Sequence, residues 1–120
     1  MRILLVDDDD AYLDSMSTLL KSYGHNAVVA LDGSAALHLA NCKICDLVIT
    51  DFRMPDIEGI ELFKKIRRLK PAIAGILVSA EMTDTRKKEA VEAGMSGGFD
   101  KLLEIDNLLS FISEMTKNLD

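Results

Sequence analysis

The chain has 120 residues, 48% of them apolar, and a net charge of −6 from 14 basic and 20 acidic residues, which predicts one domain able to bury about two thirds of its unfolded surface. The acidic balance, with an isoelectric point near 4.8, excludes direct binding to nucleic acid because that requires a basic stripe, and no apolar run approaches the roughly 20 residues of a membrane span. The N-terminal sequence also lacks the apolar core of a secretory signal, so we expect a single cytoplasmic domain over residues 1–120.

Short apolar runs alternate five times with longer segments of helical periodicity, and no linker rich in Pro, Gly or Ser separates them. The runs predict strands at residues 2–6, 26–31, 46–50, 73–78 and, more weakly, 97–100. Continuous runs of Val, Ile and Leu are typical of strands buried on both faces. The alternation therefore predicts right-handed βαβ crossovers and a doubly wound α/β fold, with helices on both faces of a parallel sheet.

Five helices are predicted between and after these strands. Apolar stripes place the first before Gly24, the third before Pro71 and the fourth over residues 84–93, each followed by a residue that commonly ends a helix. The second is short and runs from Ser34 to about Ala40. The last helix shows the clearest helical period, at Ile105, Leu108, Leu109, Ile112 and Met115.

Polar side chains stand where four of the predicted strands end. Asp7 and Asp8 follow the first strand, Asp51 the third, Ser79 the fourth and Lys101 the fifth. Because the carboxyl ends of parallel strands share one edge of the sheet, we expect these groups to meet there. Carboxylates about 4 Å apart repel by roughly 4 kcal/mol per pair at an effective dielectric near 20, and a hard cation such as Mg²⁺ relieves that repulsion. Asp51 is then a candidate nucleophile towards a phosphoryl group.

Each aspartate also has a simpler interpretation, because Asp commonly forms turns and caps helices. We expect Asp9 and Asp10 to cap the first helix in this way. The coincidence of polar groups at four strand ends favours a chemical site over four unrelated turns.

These residues resemble the receiver domain of two-component response regulators over essentially the whole chain. The resemblance rests on Leu5-Val6-Asp7-Asp8, Asp51-x-x-Met54-Pro55-x-x-x-Gly59, Val78-Ser79-Ala80, and Lys101 after Glu92-Ala93-Gly94. It implies that residues 1–120 form one receiver domain with a flavodoxin-like (βα)5 fold and strand order 2-1-3-4-5. It also implies a signalling module that is not an enzyme, apart from Mg²⁺-dependent self-phosphorylation and autodephosphorylation.

The resemblance further implies a phosphoacceptor and a metal site. Asp51 would accept a phosphoryl group from the phosphohistidine of a sensor histidine kinase or a phosphotransfer protein. Asp8 would bind Mg²⁺ directly, and Asp7 would act largely through water. Asp51 itself and the backbone carbonyl of Arg53 would complete the protein ligands.

The resemblance assigns two further groups to the phosphoryl oxygens. Lys101 would pair with one oxygen, and the Ser79 hydroxyl would turn inward to bind another. Phosphorylation would then move the face made by helix 4, strand 5 and helix 5, which would contact a downstream protein or output domain.

Two positions depart from the pattern of the family. An aromatic residue usually stands three positions before the lysine, but here Gly98 is followed by Phe99, and the usual Pro after the lysine is Leu102. Either Phe99 substitutes through a local shift, or output uses a different contact.

The residues two positions after Asp51 and Ser79 flank the approach of a hydrolytic water. These are Arg53 and Glu81. We expect the two side chains to form a partly exposed ion pair that obstructs this water and slows loss of the phosphoryl group.

Three other functions are alternatives to phosphoacceptor signalling. A pseudo-receiver that serves only as an interaction module stays open because of Gly98 and Leu102. A phosphohydrolase of the haloacid dehalogenase type would need an Asp two residues after Asp51, where this chain has Arg53. A flavin-binding relative would have to place a phosphate against four consecutive aspartates.

The motif Cys42-Lys43-Ile44-Cys45 lies close to His38 and could indicate a zinc or redox site. However, these residues supply three ligands where structural zinc takes four. A thioredoxin-type motif should open a helix, and this one closes a helix. We therefore expect two reduced cysteines without a chemical role.

Overall fold

Five strands and five helices alternate along the chain in a computed structural model that describes residues 1–118. The strands are β1 (Arg2–Val6), β2 (Asn26–Ala30), β3 (Leu47–Asp51), β4 (Ala74–Ser79) and β5 (Gly97–Asp100). The helices are α1 (Asp10–Ser22), α2 (Gly33–Cys42), α3 (Gly59–Leu69), α4 (Asp84–Glu92) and α5 (Ile105–Lys117). The last two residues of the predicted domain, Leu119 and Asp120, lie outside the described residues.

The strands form one parallel sheet in the order β2-β1-β3-β4-β5, which confirms the predicted doubly wound fold. The register aligns Val6 with Thr50, so Asp7 and Asp51 follow side by side. It also aligns Ser79 of β4 with the residue that precedes Lys101. The polar groups at four strand ends therefore share one edge of the sheet, as their sequence positions predicted.

The sheet is covered on both faces, and its side chains alternate between two buried clusters. Leu4 and Val6 of β1 pack with α2, α3 and α4, whereas Ile3 and Leu5 pack with α1 and α5. This alternation follows from the two-residue period of a strand. It explains why β1 reads as a continuous apolar run, since both of its faces are buried.

The capping of α1 matches the expectation for one of the two aspartates. Asp9 is the N-cap, and its carboxylate accepts hydrogen bonds from the backbone N–H groups of Ala11 and Tyr12. Asp10 is instead the first residue of the helix. A negative charge in the first turn interacts favourably with the helix dipole. Among residues 1–118, no helix has the length and hydropathy needed to cross a bilayer.

Gly59 begins α3 directly beneath the end of β3. Its N–H donates to the carbonyl of Phe52 at 2.8 Å. A Cβ at this position would overlap the carbonyl oxygen of Asp51 and would lie 3.2 Å from Thr50 Oγ1. Glycine therefore allows α3 to approach the strand that carries Asp51.

Replacement of Gly59 by Ala is expected to destabilise the fold by about 1–3 kcal/mol, the usual cost of overpacking a closely packed position. The measurement is the midpoint of urea unfolding. Gly97→Ala is the matched control, because a Cβ there would meet its nearest atom at 3.5 Å, an ordinary contact distance. Equal midpoints for the two variants would contradict the close approach at Gly59.

Candidate functional site

Three carboxylates cluster at the carboxyl edge of the sheet. Asp7, Asp8 and Asp51 each offer an oxygen that lies within 4.8 Å of the other two. Asp7 is fully buried, Asp51 is partly buried and Asp8 is exposed. The structure thus brings together three of the residues that the sequence predicted at this edge. Two of these carboxylates, Asp7 and Asp51, are largely removed from solvent.

One oxygen of each buried carboxylate is bound by the backbone. Asp7 Oδ1 accepts from the N–H of Asp9 at 3.0 Å, and Asp51 Oδ1 accepts from the N–H of Phe52 at 2.9 Å. These bonds fix the two carboxylates and leave their Oδ2 atoms to face a cation.

Lys101 is that cation. Its ammonium forms a close ion pair with Asp7 Oδ2, which has no other hydrogen-bonding partner within residues 1–118, and lies 3.4 Å from Asp51 Oδ2. It also lies 4.7 Å from the ring centroid of Tyr12, a cation–π distance. Only 12% of the Lys101 side chain is exposed, so the ion pairs are weakly screened.

The electrostatic environment of the site shifts three pKa values. Burial, and then the charge of Asp7, raises the pKa of Asp51, although Lys101 opposes the shift. Burial lowers the pKa of Lys101, but the contacts with Asp7 and Asp51 outweigh burial and raise it overall. Burial and the same two carboxylates raise the pKa of Tyr12. Three carboxylates face one ammonium here, so a second cation would relieve the remaining negative charge.

The donor set fits Mg²⁺. Asp7, Asp8 and Asp51 supply carboxylate oxygens, the hard ligands that Mg²⁺ prefers. No hydrogen bond between described residues engages the carbonyl of Arg53, two residues after Asp51, so that oxygen is available as well. Within residues 1–118, no other group of His, Cys, Asp or Glu side chains has comparable geometry.

Ser79 is buried at the end of β4, but its hydroxyl is bound to the following loop. The hydroxyl donates to the Glu81 carbonyl at 3.1 Å and accepts from the Glu81 N–H at 3.3 Å. It also accepts from Arg86 Nη1 at 3.2 Å. In this structure the hydroxyl is therefore bound by the loop after β4 and by α4, and its inward turn towards a phosphoryl oxygen stays a prediction.

Arg86 and Tyr12 are site residues that the sequence analysis missed. Arg86 lies in the first turn of α4, a helix whose charges resemble those of a solvated surface. Only its position directly after the loop from β4 could have indicated a contact with Ser79. Tyr12 lies beside the apolar stripe of α1, and the helical period alone gives no sign that its ring faces Lys101.

The expected ion pair between Arg53 and Glu81 is wrong for this structure, because it is absent from the salt bridges among residues 1–118. The guanidinium of Arg53 lies 5.9 Å from the ring centroid of Phe52 instead. The Glu81 backbone is bound by Arg86, whose Nη1 donates to its carbonyl at 2.6 Å.

Phe99 does not occupy the space beside Gly98. Its ring packs edge-to-face against Phe111 of α5, with centroids 5.3 Å apart, on the sheet face covered by α1 and α5. The space beside Gly98 is filled from the other side, since a Cβ there would lie 3.1 Å from Met82 and 3.4 Å from Lys87. This favours the alternative in which output uses a different contact.

Within residues 1–118, the cysteine motif belongs to no cluster of potential metal ligands. Cys42 closes α2, as predicted, and its Sγ lies 3.8 Å from His38 Nε2. Cys42 and Cys45 are both unbridged thiols, and burial raises the pKa of Cys45. A raised thiol pKa disfavours the thiolate, the reactive form.

Comparison with known proteins shows the family of this chain. The family model for the response regulator receiver domain matches residues 3–113. The transcriptional regulatory protein ZraR of Escherichia coli O157:H7 is 35% identical over 106 residues, which cover 88% of this chain but 24% of that protein. The chain thus spans about a quarter of the length of such curated relatives.

Two solved structures extend the similarity to the whole fold. A CheY-like response regulator receiver domain protein from Methanospirillum hungatei JF-1 has a TM-score of 0.88 and 30% identity, covering 98% of this chain and 94% of its own. The receiver domain of the Francisella response regulator 1452 has a TM-score of 0.90 and 28% identity, covering 99% and 98%.

Proposed function

The chain belongs to the response regulator receiver domain family of two-component systems, and we propose on that basis that residues 1–120 form one receiver domain that accepts a phosphoryl group on Asp51. Receiver domains are generally signalling modules without enzymatic turnover. The observation that carries the proposal is the convergence of Asp7 Oδ2 and Asp51 Oδ2 on Lys101, with Asp8 beside them.

In the proposed reaction, a carboxylate oxygen of Asp51 attacks the phosphorus of a phosphohistidine. The new P–O bond forms as the P–N bond breaks, and the electron pair leaves with the imidazole nitrogen of the donor. Lys101 then exchanges part of its contact with the carboxylates for a phosphoryl oxygen. Asp7, Asp8 and Asp51 would hold Mg²⁺, and the bound ion would supply positive charge next to the transferring oxygens.

The proposed partners follow from the family. The donor is a sensor histidine kinase or a phosphotransfer protein, and the recipient of the signal is a downstream protein or output domain that contacts the face of α4, β5 and α5. The curated relatives are transcriptional regulatory proteins several times longer than this chain. Their outputs are consistent with a receiver that acts through a separate domain.

Incubation with acetyl phosphate and Mg²⁺ tests the proposed chemistry. We expect one phosphoryl adduct by intact mass spectrometry, located at Asp51 by peptide mapping, and no adduct when EDTA removes the metal. A protein that stays unmodified under conditions that phosphorylate a known receiver would favour the pseudo-receiver, which binds partners without phosphoryl transfer.

Removal of the two side chains beside the site is expected to shorten the lifetime of the phosphorylated form. Arg53→Ala and Glu81→Ala should each speed dephosphorylation, because each opens the approach of water to the phosphorus. The structure shows no pair between them, so the two rate factors should multiply in the double variant. Stability should change by less than about 1 kcal/mol, since exposed charges contribute little.

The measurement is the decay of phosphorylated protein in excess Mg²⁺ after the donor is removed. An unchanged or slower decay in the double variant would show that these side chains do not restrict water.

A further inference from the structure

The hydrogen-bonding capacity of the Ser79 hydroxyl is fully used in this structure. A serine hydroxyl has one proton to donate and two lone pairs that accept. The proton goes to the Glu81 carbonyl, and the lone pairs accept from the Glu81 N–H and from Arg86 Nη1. To donate to a phosphoryl oxygen on Asp51, the hydroxyl must leave the Glu81 carbonyl.

Arg86 stabilises the arrangement that the hydroxyl must leave. Its Nη1 donates to Ser79 Oγ at 3.2 Å and to the Glu81 carbonyl at 2.6 Å. One nitrogen therefore holds both ends of the turn that contains the hydroxyl. Hydrogen bonds from a charged donor are stronger than those between neutral groups.

The guanidinium of Arg86 is held in place from a second direction. Its central carbon lies 4.2 Å from the ring centroid of Phe52, within cation–π distance. Phe52 directly follows Asp51, and its N–H binds the Asp51 carboxylate at 2.9 Å. Arg86 thus connects α4, the Ser79 hydroxyl and the residue next to the phosphoacceptor.

We propose that Arg86 is a positioning residue that holds the Ser79 hydroxyl away from Asp51 in the unphosphorylated protein. The inference rests on the proposed function, because the competing acceptor is a phosphoryl group on Asp51. When Ser79 turns to that group, Arg86 loses one of its two hydrogen-bond acceptors, and the hydrogen bond between the first turn of α4 and the last residue of β4 is broken.

This arrangement also accounts for the missing aromatic residue. Gly98 has no side chain that could follow a movement of Ser79, and Met82 and Lys87 fill the adjacent space. The contact between the turn after β4 and the helix α4 is made by Arg86 instead. The state of Ser79 is therefore passed to α4 by Arg86 rather than by a ring on β5.

The inference predicts that loss of Arg86 favours the phosphorylated arrangement. The initial rate of phosphorylation by acetyl phosphate and the affinity for beryllofluoride, a phosphoryl analogue, should each rise about three- to tenfold, the range expected for losing a modest charge-assisted hydrogen bond. The sign of the effect is diagnostic. Loss of a positive charge alone would weaken the binding of an anion.

The experiment compares Arg86→Ala and Arg86→Lys with Lys88→Ala, all in the 120-residue protein with Mg²⁺. Lys88 is the matched control because it lies on the same helix and its side chain is 78% exposed. Arg86→Lys keeps the charge but loses the planar guanidinium that lies over the Phe52 ring and is held there, so it should also bind beryllofluoride more tightly. Bound beryllofluoride is measured by ¹⁹F NMR, and thermal unfolding verifies that each variant folds.

The same measurements in Ser79→Ala protein distinguish a role of Arg86 in positioning Ser79 from a general destabilisation of α4. In Ser79→Ala protein, most of the gain from Arg86→Ala should disappear, because no hydroxyl remains to be held. Equal rates and affinities for the Arg86→Ala and Lys88→Ala variants, or an undiminished gain without Ser79, would overturn the role of Arg86 while Asp51 remains a phosphoacceptor. Failure of the unmutated protein to take up a phosphoryl group would overturn the proposed function together with this inference.

Discussion

Replacement of Asp51 by Asn is expected to abolish phosphorylation completely while the protein remains folded. The amide nitrogen and oxygen have nearly the shape of the carboxylate, and the oxygen can still accept from the N–H of Phe52. The amide is, however, too weak a nucleophile to attack phosphorus. The measurement is intact mass after incubation with acetyl phosphate and Mg²⁺, compared with the unmutated protein.

The same substitution is expected to raise thermal stability near neutral pH. Burial, together with the charge of Asp7, raises the pKa of Asp51, so the folded state holds this proton to a higher pH than the unfolded chain. Ionisation of Asp51 therefore lowers stability as the pH rises from about 4, the unfolded value, through the raised folded value. Asn is always neutral and escapes this loss.

The stabilisation should consequently depend on pH in a defined direction. The difference in unfolding temperature between Asp51→Asn and the unmutated protein should be largest near pH 7 and should shrink towards pH 4, where Asp51 itself becomes neutral. Asp14→Asn is the control, since Asp14 is an exposed carboxylate on α1 outside the cluster. A stoichiometric adduct on Asp51→Asn protein would remove Asp51 as the acceptor, and a difference independent of pH would contradict the electrostatic account.

Replacement of Asp8 by Ala is expected to weaken Mg²⁺ binding by about tenfold or more, because even indirect partners of a metal ligand typically contribute that much. Asp8 is exposed, yet its carboxylate belongs to the cluster with Asp7 and Asp51. Its loss removes a ligand without opening a cavity, so the fold should be unaffected.

Asp10→Ala is the matched control for the metal titration. Asp10 is also exposed, and its replacement also removes one negative charge. It is the first residue of α1, however, and lies outside the cluster. Isothermal titration calorimetry with Mg²⁺ should therefore show a large loss of affinity for Asp8→Ala and a small one for Asp10→Ala. Equal affinities for the two variants would mean that general electrostatics, and not ligation, holds the cation.

The fold of this protein could be derived from its sequence because the relevant signals are local. A continuous apolar run such as Ile3-Leu4-Leu5-Val6 predicts a strand because both faces of β1 are buried. The apolar stripe of α1 predicts a helix because one face of that helix packs on the sheet. Parallel strands all end at one edge, so the convergence of Asp51 and Lys101 followed from the order of elements alone. The strand order itself came from the family resemblance, because periodicity does not choose neighbours.

Only the tertiary structure decided which partner each polar side chain takes. The sequence paired Arg53 with Glu81, whereas the Glu81 carbonyl and the Ser79 hydroxyl are bound by Arg86 from α4. Because side chains alternate along β5, the Phe99 ring lies on the sheet face covered by α1 and α5, where it packs on Phe111. Sequence patterns report which face of an element is buried, but a hydrogen bond or ring contact depends on the distance and direction between two elements after they pack. That geometry is a property of the whole core, and no local pattern contains it.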